Sequence, residues 1–202
     1  MYVPKAFRED DAARLHAFLR AWSFGLLVTA DADGVPVATH IPFVLDEGAP
    51  PQGRLIAHVA RANPQWRAFD GTRQALAIFS GPHAYVSPTW YATTPAVPTW
   101  NYAAVHVYGR PRVLEGAEAT REAVSRLVEV HDPAWRVADQ PAEFIAGMLR
   151  GIVAFEMPIE RLEGKLKLNQ NRPAADRPGV VQALRAGGAT ERAVADLMER
   201  LP

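Results

Sequence analysis

Apolar side chains recur at helical spacing early in the chain, with Leu15, Phe18, Leu19 and Trp22 on one face and Glu9, Asp10 and Asp11 ahead of them. The pattern predicts an amphipathic helix over residues 7–22. From Phe24 the period shortens to two. Apolar runs on either side of Asp33-Gly34 predict a hairpin, with Pro36 at an edge or at a strand's first residue. Further strands are expected over residues 54–60, 74–81, 83–88 and 102–115. Between the first two of these, Asn63-Pro64 has the form of an N-cap followed by a first helical residue. Helical periodicity returns over 117–132 and 141–151, extended patterning over 152–168, and the tail reads as two short helices separated at Gly187-Gly188.

Many short strands, with helices at the start, middle and end, predict a mainly β chain with flanking helices (α+β), built as a small antiparallel barrel. Nothing alternates as a doubly wound parallel sheet requires. The expected organisation is a barrel domain with inserted helices over residues 1–170 and a C-terminal helical tail over 171–202 packed on it.

Composition narrows the function classes. With 49% hydrophobic residues the 202-residue chain can bury a sizeable core. Its formal net charge is zero, so any nucleic-acid contact would need a local basic patch rather than a global attraction. The absence of cysteine excludes disulfides, thiolate catalysis and thiolate-bound metals. No run is apolar and long enough to span a bilayer, and the first residues lack the apolar stretch of a secretion signal, so the expectation is a cytoplasmic protein without a membrane partner.

Three stretches carry candidate chemistry. In His58-Val-Ala-Arg-Ala-Asn-Pro-Gln-Trp66 a strand delivers Arg61 to a helix start at Asn63. Such a corner either binds an anion, through unpaired N–H groups and a forked guanidinium, or is an ordinary capped helix with a surface arginine. The second stretch repeats Pro-Thr-Trp ten residues apart, at Pro88-Thr89-Trp90 and Pro98-Thr99-Trp100, with Ser87 and Asn101 alongside. Rings and polar edges of this kind suit a flat heterocycle, and equally a core or a subunit interface. In the third, Lys165, Lys167 and Arg172 are interleaved with Asn169, Gln170 and Asn171, a run that can hold phosphate or a heterocycle or lie solvated. His40, His58, His83 and His106 fall on expected strands without metal-binding spacing, so no metal site is assigned. Gly-rich dinucleotide and phosphate-loop motifs and the nucleophile elbow are absent, and no catalytic residue is assigned.

Taken in order, "HVARANPQW", "FSGPHAYVSPTWY", "VPTWNYAAVHVYGRPRVL" and "EGKLKLNQNR" resemble the signature blocks of the PaiB-type family of FMN-binding negative transcriptional regulators, over nearly the whole chain. One departure is Asn169, where that family's pattern has a serine; an amide replaces a hydroxyl and adds bulk. The resemblance implies an antiparallel split β-barrel of the FMN-binding type with C-terminal helices, a homodimer, and FMN as cofactor. It implies His58, Arg61 and Asn63 near the phosphate, Ser87, Trp90, Trp100 and Asn101 around the isoalloxazine, and Lys167 and Gln170 closing the site. Two functions follow: a regulatory flavoprotein, or a flavin-dependent oxidoreductase using a nicotinamide donor. DNA enters only through the regulatory reading. The last helical stretch, residues 190–201, carries three acids and two arginines, which is less basic than a recognition helix.

Overall fold

A computed structural model describes residues 1–200. Along the chain run β1 (Arg8–Glu9), α1 (Ala12–Ala21), β2 (Phe24–Ala30), β3 (Pro36–Pro42), β4 (Val44–Asp46), β5 (Arg54–Ala60), β6 (Ala75–Val86) and β7 (Thr99–Gly109). There follow β8 (Arg112–Val113), α2 (Ala117–His131), α3 (Ala142–Arg150), β9 (Ile152–Pro158), β10 (Arg161–Lys167), α4 (Arg177–Arg185) and α5 (Ala189–Arg200). Among the described residues the strands pair antiparallel, which with five α-helices makes the expected α+β class. None of the described helices is long and apolar enough to cross a membrane. The chain packs as two compact units. One holds Met1–Asp11, Ser80–Val105 and residues 163–200; the other holds Ala12–Phe79 and His106–Leu162.

In the larger unit β2 sits between β3 and β6, and a second sheet has the order β4-β5-β9-β8. The β2–β3 hairpin pairs Phe24 with Pro42 through to Ala30 with Pro36. Its turn closes because the Asp31 carboxylate accepts the Asp33 and Val35 N–H groups at 2.9 and 2.8 Å, while Gly34 takes φ +82. Pro36 opens β3, an edge strand, where its missing N–H costs no ladder bond. The core is aromatic: Phe43 meets Phe79 edge-on at 5.3 Å and Phe155 at 6.4 Å, and Phe69 lies 4.5 Å from Phe155. Gly25 admits this packing, since a Cβ there would lie 3.0 Å from the Phe79 ring.

One buried carboxylate lies within the second sheet. Glu156, 3% exposed, accepts from Arg54 Nη1 and Arg112 Nε, both at 2.5 Å. Arg54 also reaches Asp46, and Arg126 joins Asp46 to Glu122. A buried charge is tolerable when more than one donor answers it, and here they come from two strands, β5 and β8.

The smaller unit has the strand order β1-β10-β7-β6, with Arg8 opposite Lys165. Against it pack α4 and α5, whose Val180, Leu184, Val194, Ala195 and Met198 are buried with Val86, Tyr91 and Leu168.

Three local expectations differ from the structure. The first helix begins at Ala12, because Phe7 turns into the interior and Arg8–Glu9 pair with β10. The helix expected at Asn63-Pro64 is a single 3-10 turn, Pro64–Ala68, ended by the buried Phe69. The strands expected over 74–81 and 83–88 are one strand, β6, whose inward and outward alternation changes phase at Gly81-Pro82. That phase change made them read as two.

Gly109 is the most closely packed glycine of the larger unit. A Cβ there would meet the Pro158 carbonyl oxygen at 2.1 Å. Gly109→Ala is expected to lose about 1–3 kcal/mol of stability, as overpacked positions do; urea unfolding of the two proteins measures it.

Candidate functional site

At the end of β5 the backbone N–H of Arg61 donates to the Gly151 oxygen at 2.8 Å. Its guanidinium donates through Nε to Arg150 O and through Nη2 to Ile152 O, both at 2.8 Å. The side chain therefore holds the last carbonyl of α3, a favoured place for a cation, together with the first carbonyl of β9. Asn63 caps the 3-10 turn as its sequence foretold: its Oδ1 accepts the Gln65 N–H at 3.0 Å, and its Nδ2 donates to Thr39 Oγ1 at 3.0 Å. Trp66 Nε1 donates to Arg61 O at 3.0 Å. His58, on β5 opposite Ala154, has a buried Nδ1 without a hydrogen-bond partner among the described residues. Burial lowers its pKa from 6.5, so the ring is neutral at pH 7.

Sequence reasoning passed over Gln65. It is 4% exposed, and its amide nitrogen faces Leu27 O, Thr29 Oγ1 and Val37 O at 3.1–3.2 Å, bracing the hairpin from beneath. Its Oε1 is buried without a partner among the described residues. No composition signal distinguishes such a glutamine from a surface one.

The remaining expected residues lie in the smaller unit. The two Pro-Thr-Trp segments have different fates. The first forms a 3-10 turn, Pro88–Trp90, capped by Ser87, whose Oγ accepts the Thr89 N–H at 3.3 Å and pairs with Thr89 Oγ1 at 2.8 Å. Trp90 there packs on the cluster formed by α4 and α5. The second opens β7 and leaves Trp100 53% exposed. The ring of Trp100 lies 6.2 Å from His83 and 6.0 Å from Tyr85, edge-on to the latter. His83 and Tyr85 are both exposed and two residues apart on β6, so strand alternation puts them on one face. That period-two pair was the readable sign of an aromatic face.

Lys167 donates to Thr99 Oγ1 and Trp100 O, both at 2.6 Å, and so fastens β10 to the start of β7. Burial and then the like charge of Lys165 push its pKa down. An ammonium has three protons, so one remains after these two bonds. Gln170 is turned on its own chain, accepting the Leu168 N–H at 2.7 Å and donating to Leu166 O at 2.5 Å. Asn101 is fully buried, its amide nitrogen 3.4 Å from Met198 Sδ and its oxygen without a partner among the described residues. Asn169, the residue that departs from the expected serine, takes φ +66 and donates to Tyr91 Oη at 2.9 Å. A left-handed conformation suits asparagine better than serine.

The loop between the two tryptophans is anchored by the tail. Asp176 is fully buried and accepts from Thr93 N and Oγ1, both at 2.9 Å, and from Arg172 Nε at 2.8 Å. Arg172 also lies 4.3 Å above the Tyr91 ring. Burial would raise the Asp176 carboxyl, but the Thr93 hydrogen bonds and the Arg172 charge outweigh it and hold the pKa below 3.8. A group with a depressed folded-state pKa stabilises above its unfolded value, and that contribution is lost as pH falls through the folded one. Stability should therefore decline below about pH 4, and Asp176→Asn should flatten that decline in urea unfolding measured across the pH range. Gly179 on α4 tests the same contact from the other side, since a Cβ there would meet Trp90 O at 2.3 Å. Gly179→Ala is expected to cost about 1–3 kcal/mol and to shift tryptophan emission.

The nine expected site residues thus fall into two groups: His58, Arg61 and Asn63 in the larger unit, and Ser87, Trp90, Trp100, Asn101, Lys167 and Gln170 in the smaller. Asn63, Ser87 and Gln170 spend their polar groups on local structure, whereas Trp100 and its neighbours offer an open aromatic surface.

Comparison with known proteins bears on what that surface serves. The chain is 36% identical to the Bacillus subtilis "Protease synthase and sporulation protein PAI 2" over 98% of its own length and 97% of that protein's. Among solved structures, the flavocytochrome Anf3 from Azotobacter vinelandii matches with a TM-score of 0.65 at 18% identity, over 82% of this chain and 72% of that one. An FAD- and heme-binding protein from Mycobacterium smegmatis matches at 0.58 and 18%, over 79% and 73%. At such identities the likeness is one of fold, the split-barrel arrangement of antiparallel sheets that the sequence led us to expect. A family model described as "Putative FMN-binding domain" matches residues 1–161, and with the close bacterial relative this shows that the chain belongs to the FMN-binding domain family that includes the PAI 2 protein.

Proposed function

We propose that the chain is a homodimeric FMN-binding protein with a regulatory role of the PaiB type. The observation that carries this reading is the exposed aromatic face of His83, Tyr85 and Trp100 beside the partly buried ammonium of Lys167. An isoalloxazine needs a flat apolar surface and a cation or N–H donor near its electron-rich edge, and both are present there. Arg61 is the candidate for the phosphate, its guanidinium oriented by the carbonyls of Arg150 and Ile152. FMN, when bound, supplies electron-transfer chemistry at its ring. The chain's own residues orient the ring, exclude water and hold the phosphate.

Tyr85 and Trp100, 47% and 53% exposed, are also large apolar surfaces of the kind that subunits bury, which supports the homodimer. The regulatory role rests on the family relationship and on the relative's association with protease synthesis and sporulation. Direct DNA reading by the tail finds little support, because Arg185 is paired with Asp196 and Glu199 and Arg177 donates to Met198 O. We assign residues 1–170 to the cofactor-binding body and 171–202 to a tail that steadies the aromatic loop; Leu201 and Pro202 lie outside the described residues.

The test is a visible absorbance spectrum after adding FMN and desalting. Flavin bands should stay with the protein, and Trp100→Ala should weaken retention about tenfold with unchanged circular dichroism. Absence of retained flavin would overturn the cofactor assignment. Rapid bleaching of bound flavin by NADPH or NADH would move the protein to the oxidoreductase reading.

A further inference from the structure

Between the turn of the β2–β3 hairpin and the loop that leads into β6, the larger unit holds a hollow of about 540 Å³. None of its lining residues belongs to the aromatic face or to the corner at Arg61. We propose that this hollow binds a small zwitterion, an amino acid whose ammonium meets Asp31 and whose carboxylate meets Arg73.

The two charges come from opposite walls. The hairpin supplies Thr29 and Asp31, and the stretch after the 3-10 turn supplies Arg73 and Gln74. Asp31 spends Oδ1 on the Asp33 and Val35 N–H groups, which fixes the carboxylate in place. Its Oδ2 has no partner among the described residues. Arg73 is held only by a long contact, Nε to Asp70 Oδ2 at 3.4 Å, and an exposed pair of this kind contributes little. Asp70 is itself engaged, since its Oδ1 accepts the Thr72 N–H and hydroxyl and the Arg73 N–H. Asp31 and Arg73 thus line one hollow with opposite charges and form no ion pair with each other. A ligand that carries both charges completes such a pair.

Small residues keep the space between the walls open. Ala30, Ala32 and Ala68 each put a single methyl there, and a Cβ on Gly34 would meet nothing within 4 Å. The volume lies in the range of small-molecule sites. At its base Thr29 is 7% exposed, and its Oγ1 accepts from the Gln65 amide at 3.1 Å. That leaves the hydroxyl's own proton for a ligand oxygen. Gln74 adds an amide that has no partner among the described residues. An anion would answer Arg73 and be repelled by Asp31, and a cation the reverse; a neutral ligand would answer neither. FMN, an anion through its phosphate, carries no group for Asp31, so the hollow is not a second place for the cofactor.

The test is isothermal titration, with and without added FMN, at matched ionic strength. The zwitterions are glycine, β-alanine, γ-aminobutyrate and 5-aminopentanoate, whose charges lie progressively farther apart; butyrate and butylamine are the single-charge controls. At least one zwitterion should bind saturably, with both controls at least tenfold weaker. Asp31→Asn keeps the oxygen that closes the turn and Arg73→Gln keeps a donor, yet each should weaken the best zwitterion about tenfold. Ala68→Leu, which fills the hollow without touching a charge, should abolish binding. The proposal is overturned if no zwitterion binds, or if butyrate or butylamine binds as tightly. It is equally overturned if the Asp31, Arg73 and Ala68 variants bind normally. Displacement of the zwitterion by FMN would assign the hollow to the cofactor and would also overturn it. A protein that retains no flavin but binds the zwitterion loses only the aromatic-face reading, so the two fail separately.

Discussion

A carboxylate can lose all contact with water only if its charge is answered from several directions, and Asp176 imposes that condition on the smaller unit. Thr93 gives it a backbone N–H and a hydroxyl, and Arg172 gives it a charged fork. These donors come from opposite sides of one contact: Thr93 belongs to the loop between the two tryptophans, whereas Asp176 and Arg172 lead into the tail. The loop's position thus depends on the tail's, and the close approach of Gly179 to Trp90 O leaves little slack. Breaking any one of these would leave a buried charge short of partners, which is why the arrangement is stiff.

The same rule of answered charge divides the arginines of the larger unit. Around Glu156 they are matched by acids and serve the sheet. Arg61 is matched by backbone carbonyls and serves the end of α3.

Much of the fold was legible locally. The hairpin at Asp33-Gly34, the helix over 117–131 and the two tail helices parted at Gly187-Gly188 all follow from periodicity and turn chemistry, which act over a few residues. The errors lie where a distant partner intervened. Phe7 left the first helix because its side chain is buried and its neighbours pair with β10, and the turn at Asn63 stayed short because Phe69 is drawn into the aromatic core.

The candidate site divides in the same way. Residue types and their order pointed to a flavin-binding family and to the two Pro-Thr-Trp segments, and for that the linear chain suffices. Which polar groups remain available was not in the chain's order. Asn63, Ser87 and Gln170 have the chemistry to hold a ligand but spend it on their own backbone neighbourhood. Identical Pro-Thr-Trp triplets became a half-buried turn and an exposed strand end, because one packs on the tail helices and the other starts β7. The sequence by itself determined the menu of elements, rings and charges; the tertiary structure decided their partners. A hydrogen bond or an ion pair is a property of two groups at a distance, and that distance exists only once the chain has folded.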